Sequence, residues 1–410
     1  MDCRTKPIIG LVDPVRTAKA FLHELQRINV PFVIIESGLL GILPNMAGCI
    51  IRATPTIEMM AEQLRKHKIT HLLGCVDPSI TYADRLCAQL GLPFNGLRLS
   101  EARRNKVLMN EAVRKAHLRT PHQFETDHFD DLAAWLRHVV YPIVIKPVSS
   151  GGTDNVYLCE SDSQAEDYFH RIYGLRNLMG AINTSVLAQE YIDGVEYAID
   201  CVSYNGIHTP TDMFQYQKGT HNGRAFIYEK ERFLRADDPI SERLRVFAQE
   251  ALDALEFRTG PSHMEVKLTS NNEIVFIEVG PRLSGDDTHK LVQITRADGK
   301  SQLEYTIEAV LGNSSPDPMY KTAKEGVRVH VISSGAGYLK NWKHCDRIES
   351  LASYTHMSLH VEIGAPVART TDQTNGAGWI DLTNADSAML QDDERRLDEI
   401  LRDGIMVFES

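Results

Sequence analysis

Short apolar runs alternate with amphipathic stretches over the first hundred residues. The run KPIIGLV (6–12) predicts a strand, and apolar positions at Ala18, Phe21, Leu22 and Leu25 predict a helix between Val15 and Ile28. Pro31 leads into a second strand, FVIIES. Further strands fit 48–53 and 70–76, with helices at 56–68 and 79–91. Strands alternating with helices predict a parallel sheet covered on both faces. The turn Val12-Asp13-Pro14 lacks the G-x-G-x-x-G of a dinucleotide fingerprint, so the pattern supports that topology but not NAD binding.

Beyond residue 100 the pattern changes. A helix over 100–117, with Ser100 as its N-cap, is expected to end before Pro121. YPIVIKPV (141–148) reads as an apolar strand interrupted by one lysine, followed by the small-residue loop SSGGTDN (149–155). A strand at VYLC, a helix over 162–180 and a strand at VLAQEYI (186–192) follow. Short strands mix with two helical stretches over 195–312. After Glu325 the segments GVRVHVI, SLHVEI, GAPVAR and WIDL predict strands, then an acidic helix near 385–402. No internal repeat is present. The expected units are 1–99, 100–195, 196–312 and 313–410.

Composition narrows the class. At 410 residues the chain is too long for one compact core, and 43% apolar with 24% charged residues is ordinary for a globular protein. A net charge of −11 disfavours a nucleic-acid partner. No run reaches the length of a membrane span, and the start has no signal-peptide core. The seven cysteines (Cys3, Cys49, Cys75, Cys87, Cys159, Cys201, Cys345) form no C-x-x-C pair, which fits reduced thiols in a cytoplasm.

The most informative stretch is His263 to Leu268, a polar turn, then Ile274 to Val279. Both halves alternate, and Asn271-Asn272 suits a two-residue turn. Paired positions then sum to 543, which sets Glu265 opposite Glu278. On the other face Met264, Val266 and Leu268 would meet Val279, Ile277 and Val275. Like charges directly across a sheet are destabilising. A cation between them relieves this, and hard oxygen ligands beside a phosphate-bearing substrate point to Mg²⁺. Two glutamates alone are more often a solvated face. What tips the balance is Gly280-Pro281-Arg282, which sets a cation just beyond the carboxylates.

Lys146 lies within an apolar strand and must reach a counter-charge or water. The loop that follows, Ser149-Ser150-Gly151-Gly152-Thr153, can fold backbone N–H groups over a phosphate, although it is no Walker A sequence. In Gln189-Glu190-Tyr191-Ile192-Asp193-Gly194-Val195-Glu196, a strand end with free backbone groups can read an adenine, and Glu196 can hold ribose hydroxyls. Each element alone has a plain turn or surface reading.

Read in order, Lys106, Lys146 with its loop, QEYIDGVE, Glu265, Glu278 and Arg282 resemble the ATP-grasp superfamily across residues 100–312. The fold implied is an α/β and α+β multidomain ATP-grasp architecture, with an N-terminal Rossmann-like domain and a strand-rich C-terminal lobe. The resemblance implies that Lys106 and Lys146 hold the phosphates of ATP and that Ser149 to Thr153 closes over the γ-phosphate. Gln189 to Ile192 would meet adenine mainly through backbone, and Glu196 the ribose. Glu265 and Glu278 would hold Mg²⁺, and Arg282 would steady an acyl phosphate, with Lys146 and Arg282 the catalytic pair. The usual Glu-x-Asn-x-Arg reads here Glu278-Val279-Gly280-Pro281-Arg282, and Gly280 cannot ligate metal through a side chain. The subgroup most similar is the dipeptide-forming L-amino acid ligases, which includes the bacilysin and dapdiamide synthetase types. Expected substrates are a carboxylic acid and an amine or amino acid, with Tyr216, His221, Asn222, Asp286, Asp287 and His289 as substrate-facing candidates. A homodimer is expected from the architecture. Rival readings are a carboxylase or purine-pathway ligase and a non-catalytic ATP sensor.

Overall fold

The N-terminal alternation folds into a four-stranded parallel sheet in the computed structural model, which describes residues 7–41, 43, 46, 48–312 and 319–409. The expected strand start at Lys6 and the thiol of Cys3 lie outside these residues. The elements of this unit are β1 (Ile9–Val12), α1 (Lys19–Arg27), β2 (Phe32–Ile35), β3 (Cys49–Ile51), α2 (Ile57–Arg65), β4 (His71–Gly74) and α3 (Ile80–Leu90). The sheet order is β3-β2-β1-β4. Strand residues alternate between two cores. Val12, Val33 and Ile35 pack with Met60, Leu64 and Leu86 on one face. Ile9, Leu11 and Ile34 face Phe21, Leu25, Leu303 and Ile307 on the other.

The helix expected over 100–117 is shorter, α4 (Lys106–Lys115), and its cap is Asn105, whose side chain accepts from the N–H groups of Val107 and Leu108. Ser100 instead donates to Asp84 at 2.6 Å. A small second unit follows: β5 (Gln123–Thr126), α5 (Phe129–Leu136), β6 (Ile143–Pro147), β7 (Tyr157–Cys159), α6 (Asp162–Ile172) and β8 (Val186–Glu190). Its sheet runs β5-β8-β6-β7. The helix expected to reach 180 stops at Ile172, and Asn177 and Asn183 tie the remainder into a loop.

The central unit holds β9 (Val195–Tyr204), β10 (Ile207–His221), β11 (Arg224–Phe233), α7 (Ser241–Ala254), β12 (Thr259–Leu268), β13 (Ile274–Gly280), α8 (Thr288–Thr295) and α9 (Gln302–Val310). The last part holds β14 (Glu325–Val331), β15 (Gly337–Trp342), α10 (Cys345–Glu349), β16 (Tyr354–Leu359), β17 (Pro366–Val367), β18 (Gly378–Asn384), α11 (Ser387–Arg402) and β19 (Met406–Phe408). One eight-stranded sheet, β13-β12-β9-β10-β11-β14-β18-β16, runs through both parts. The helix α9 reaches back to cover the N-terminal sheet beside α1. The described cysteines are free thiols, and no described helix is long and apolar enough to cross a membrane.

Candidate active site

The β12–β13 hairpin sets the floor of a cleft. Glu265 pairs with Glu278 and Met264 with Val279, as expected, but Val266 pairs with Phe276 and Leu268 with Ile274. The turn is not the two-residue Asn271-Asn272 loop. Thr269 and Glu273 close it, with Asn272 in the left-handed region at φ 63°. The register shift between Glu265 and Val266 marks a bulge that leaves Ile277 as the extra residue. The bulge turns Ile277 and Glu278, neighbours in sequence, into the same cleft, while Phe276 and Val279 stay in the core with Met264 and Val266.

The cleft lies between this hairpin and the β6–β8 sheet. It is lined by Lys106, Lys146, Ser150 to Thr153, Gln189 to Ile192, Glu196, Tyr216, Glu265, Glu278, Arg282 and Asp286 among others, so most of the expected site converges. Lys106 opens α4. Its ammonium donates to the Ser150 carbonyl at 2.6 Å and lies 3.1 Å from Glu278, while its backbone N–H donates to Val148. That ties the first turn of α4 to the glycine loop. Burial of Lys146 within β6 pushes its ammonium down to about 8, opposed first by Glu278. It is therefore a cation whose charge is lost as pH rises through that value. If it holds a phosphate, the KM for ATP is expected to rise between about pH 7.5 and 9. Lys146→Arg should flatten that rise, because guanidinium stays charged. An equal rise in both proteins would remove Lys146 from phosphate binding.

Along the β8 edge, Arg119 holds the Glu190 carboxylate at 2.7 and 2.8 Å, and the His122 N–H also donates to it. The Glu190 side chain is thereby engaged within the fold. Ile192 offers its carbonyl to Lys267 at 3.1 Å, and that ammonium lies over the Tyr191 ring. Glu196 is gripped by Lys218, with Lys267 3.7 Å away. Burial pulls the Lys218 ammonium down, but Glu196 foremost, with Tyr228 and Glu265, lifts it well above its ordinary value.

Glu265 sits among cations. Burial alone would raise its carboxyl, yet Lys218 and the His263 imidazole hold it well below the usual range. His263 donates to Asp200 at 2.6 Å from Nδ1, with Nε2 3.6 Å from Glu265 and 3.3 Å from the Tyr216 hydroxyl. Burial opposes the charge, but Asp200 lifts the imidazole to about 10. Arg282 donates to Asp77 of the N-terminal unit at 3.2 Å and to the Leu283 carbonyl at 2.9 Å. Burial pushes the Asp77 carboxyl up, but Arg282, Lys106 and Arg104 outweigh it and keep it low.

Gly280 has a local reason. A Cβ there would stand 3.3 Å from the Asp77 carboxylate and 3.4 Å from the Arg282 guanidinium, so a side chain would crowd the pair. Mg²⁺ fits the remaining donors. Glu265 and Glu278 face each other in register, and no group of three His, Cys, Asp or Glu able to hold a metal exists among the described residues. Two carboxylates completed by phosphate oxygens and water is an ordinary Mg²⁺ arrangement.

Five expected residues lie outside the cleft lining. Ser149 uses its carbonyl to accept from Asn177. His221 pairs with Glu229 at 2.7 Å, and Asn222 donates to the carbonyls of Ser333 and Thr370. Asp287 precedes α8 and pairs with Lys290, and His289 is half-buried on that helix, its Nδ1 inaccessible and without a hydrogen-bond partner. Both depart because Asp286 and Asp287 adopt left-handed backbone (φ 52° and 53°), which turns the chain away after Asp286. Lys218, from the same polar segment as Tyr216, also lines the cleft, and Lys267, Tyr228, Glu231, His263 and Gln373 line it without having been expected there.

A second cavity adjoins the first. It is lined by Val15, Leu40, Leu43, Leu178, Met179 and Leu283 among others, with Arg16 and Asp77, and shares Gly152, Arg282, Gly285, Asp286 and Gln373 with the cleft.

Comparison with known proteins bears on the fold and the family of relatives. Residues 139–290 match the family model described as ATP-grasp domain. Dapdiamide A synthase of Enterobacter agglomerans is 31% identical over 257 residues, 62% of this chain and 60% of that one. An L-arginine-specific L-amino acid ligase of Bacillus subtilis is 21% identical over 236 residues, 58% of this chain and 57% of the relative. The chain thus spans about 60% of the length of these curated relatives. The solved L-amino acid ligase of Bacillus licheniformis superposes with a TM-score of 0.78 at 17% identity, covering 98% of this chain and 99% of the other. N5-carboxyaminoimidazole ribonucleotide synthetase of Thermotoga maritima gives 0.68 at 14% identity, over 98% and 100%. These two structural likenesses establish the shared fold.

Proposed function

We propose, from the premise that this chain carries an ATP-grasp domain within an ATP-grasp fold, that it joins a carboxylic acid to an amino acid through an amide bond, splitting ATP to ADP and phosphate. The observation that carries this reading is the convergence of Lys106, Lys146, the Ser150–Thr153 loop, Glu265, Glu278 and Arg282 on one cleft beside a second cavity that shares Arg282 with it. The sequence likeness to dapdiamide A synthase and the arginine-specific ligase favours an amino-acid substrate over a purine-pathway one. Phosphoryl transfer asks the protein mainly for position and charge neutralisation.

Lys106 and Lys146 would hold the phosphates, with the glycine loop folded over them. The backbone of Tyr191 and Ile192 would receive adenine beneath the Lys267 side chain, and Glu196 the ribose. Glu265 and Glu278 would hold Mg²⁺, which when bound supplies charge neutralisation at the phosphates. The substrate carboxylate attacks the γ-phosphorus and ADP leaves, giving an acyl phosphate. The amine nitrogen then bonds to the acyl carbon, phosphate departs with the C–O bond electrons, and the surplus proton of the nitrogen passes to the departing phosphate. Arg282, held by Asp77, is placed to meet the negative charge that develops in that second step. The second cavity, apolar on the Val15, Leu40, Leu43 and Leu178 side with Arg16 at its wall, supports an amino acid with an apolar side chain and a free carboxylate.

The test is ADP and phosphate release from MgATP across paired amino acids and related acids, with product masses read in parallel. Release that depends on a pair, with the matching amide mass, is the expected result. Tight ATP binding without turnover for any pair would favour a sensor, and no ATP binding would remove the nucleotide reading altogether.

A further inference from the structure

The C-terminal lobe places one side chain between the two cavities. Gln373 begins a single 3-10 turn (Gln373–Asn375) capped by Asp372, whose carboxylate accepts from Thr374 at 2.8 Å. Asn375 braces the turn from the other end, accepting from the N–H groups of Thr371 and Asp372 and donating to the Thr371 hydroxyl. The turn is tied to the core as well, since Asn222 donates to Thr370 and Ser333. From this base Gln373 makes two contacts outside its own lobe. Its side-chain amide donates to Asp286 at 2.6 Å, and its backbone N–H donates to the Thr153 hydroxyl of the glycine loop at 3.3 Å. A Cβ on Gly152 would stand 3.6 Å from the Thr374 methyl and 3.7 Å from Oε1 of the Gln373 side chain, so the loop packs close to the turn. Gln373 and Asp286 both line both cavities.

We infer that Gln373 is a positioning residue through which the C-terminal lobe holds the glycine loop closed and seals the two cavities as one chamber, so that an activated acid meets the amine and not water. This rests on the ligase reading above. An acyl phosphate exposed to solvent is lost when a water oxygen bonds to the acyl carbon and phosphate leaves, which returns the acid and wastes one ATP. Closed sites suppress such side reactions. Gln373 is suited to the task because one residue touches the loop, the shared wall and a braced turn.

The experiment compares the whole protein with Gln373→Ala and Gln373→Glu in reactions where ADP and amide are both counted. Glutamate keeps the length and the backbone contact but cannot donate to Asp286, and it brings a like charge to it. Amide formed per ADP is expected to fall by about twofold or more in both variants, a change in coupling that a uniform loss of active protein does not produce. Gln373→Asn, which keeps an amide, should recover more of the ratio than alanine does. A second readout needs no amide. Protease cleavage within residues 148–156 should be slowed by the β,γ-imido analogue of ATP in the parent protein and slowed less in Gln373→Ala. An unchanged ratio, or equal cleavage in the two proteins, overturns the role of Gln373. Absence of amide from the parent with every pair would instead sink the ligase reading, while the cleavage comparison still decides for Gln373.

Discussion

Replacing Arg282 with methionine is expected to lower kcat/KM for amide formation by roughly 10²–10³-fold, the usual cost of removing one donor from a developing oxyanion. The same change removes the hydrogen-bonded partner of Asp77, 3.2 Å away, and leaves that carboxylate with only the weaker pull of Lys106 and Arg104. Both side chains keep about a quarter of their exposure, so the stability loss should stay near or below about 3 kcal/mol. The two effects can be separated with Asp77→Asn placed on top of the methionine. The thermal midpoint should recover, because no unpaired charge remains, and the rate should not. Recovery of the rate as well would show that Arg282 acts only by holding Asp77, and its role at the reacting atoms would fall.

The second large effect is expected at the paired carboxylates. Glu278→Gln should cut turnover by roughly 10²–10³-fold at fixed Mg²⁺ and raise the Mg²⁺ needed for half-maximal rate, because a bound metal contributes several kcal/mol to such transition states. Its fold should tolerate the change. Glu278 is 30% exposed, and its neighbour Lys106 keeps the Ser150 carbonyl. Glu265→Gln should cost stability in addition. Lys218, His263 and the Tyr228 hydroxyl all converge on that carboxylate, and neutralising it leaves two buried cations short of an anion. Titrating Mg²⁺ against rate and melting point for both variants checks this. An unaltered Mg²⁺ requirement in both would take the metal away from the hairpin.

Sequence pattern carried the pairing of Glu265 with Glu278 but not the path to it. The assumed two-residue turn is a five-residue one, and the bulge at Ile277 restores the register that the longer turn displaces. Alternation alone has no signal for a bulge, since Ile277 reads equally well as a core residue. Lys146 was legible because one lysine inside an apolar run has few explanations. Arg282 was legible from its place after the second glutamate, but its partner Asp77 is 205 positions away and comes from another unit. His221 and Asn222 share a polar segment with Tyr216, yet β10 is extended. Five residues at about 3.3 Å each move His221 some 16 Å along the strand from Tyr216, to the tip where β11 begins. The glycine at 280 looked like a lost ligand, and its cause, two charged groups close to where a Cβ would stand, exists only in three dimensions. Gln373 had no local mark at all.

The division drawn between the central unit and the C-terminal part has a different meaning once the shared sheet is considered. β11 and β14 are hydrogen-bonded neighbours, and Lys230 and Arg232 of β11 are salt-bridged to Glu394 and Asp398 on α11. A chain cut before Glu325 would therefore not be a smaller enzyme with an appendage removed. It would lay bare the Lys230–Arg232 stretch of β11, with its ladder groups unpaired and its lysine and arginine without their acids, the kind of edge that recruits other strands. Loss of this lobe in evolution or in the laboratory should register first as insolubility, and only afterwards as lost chemistry.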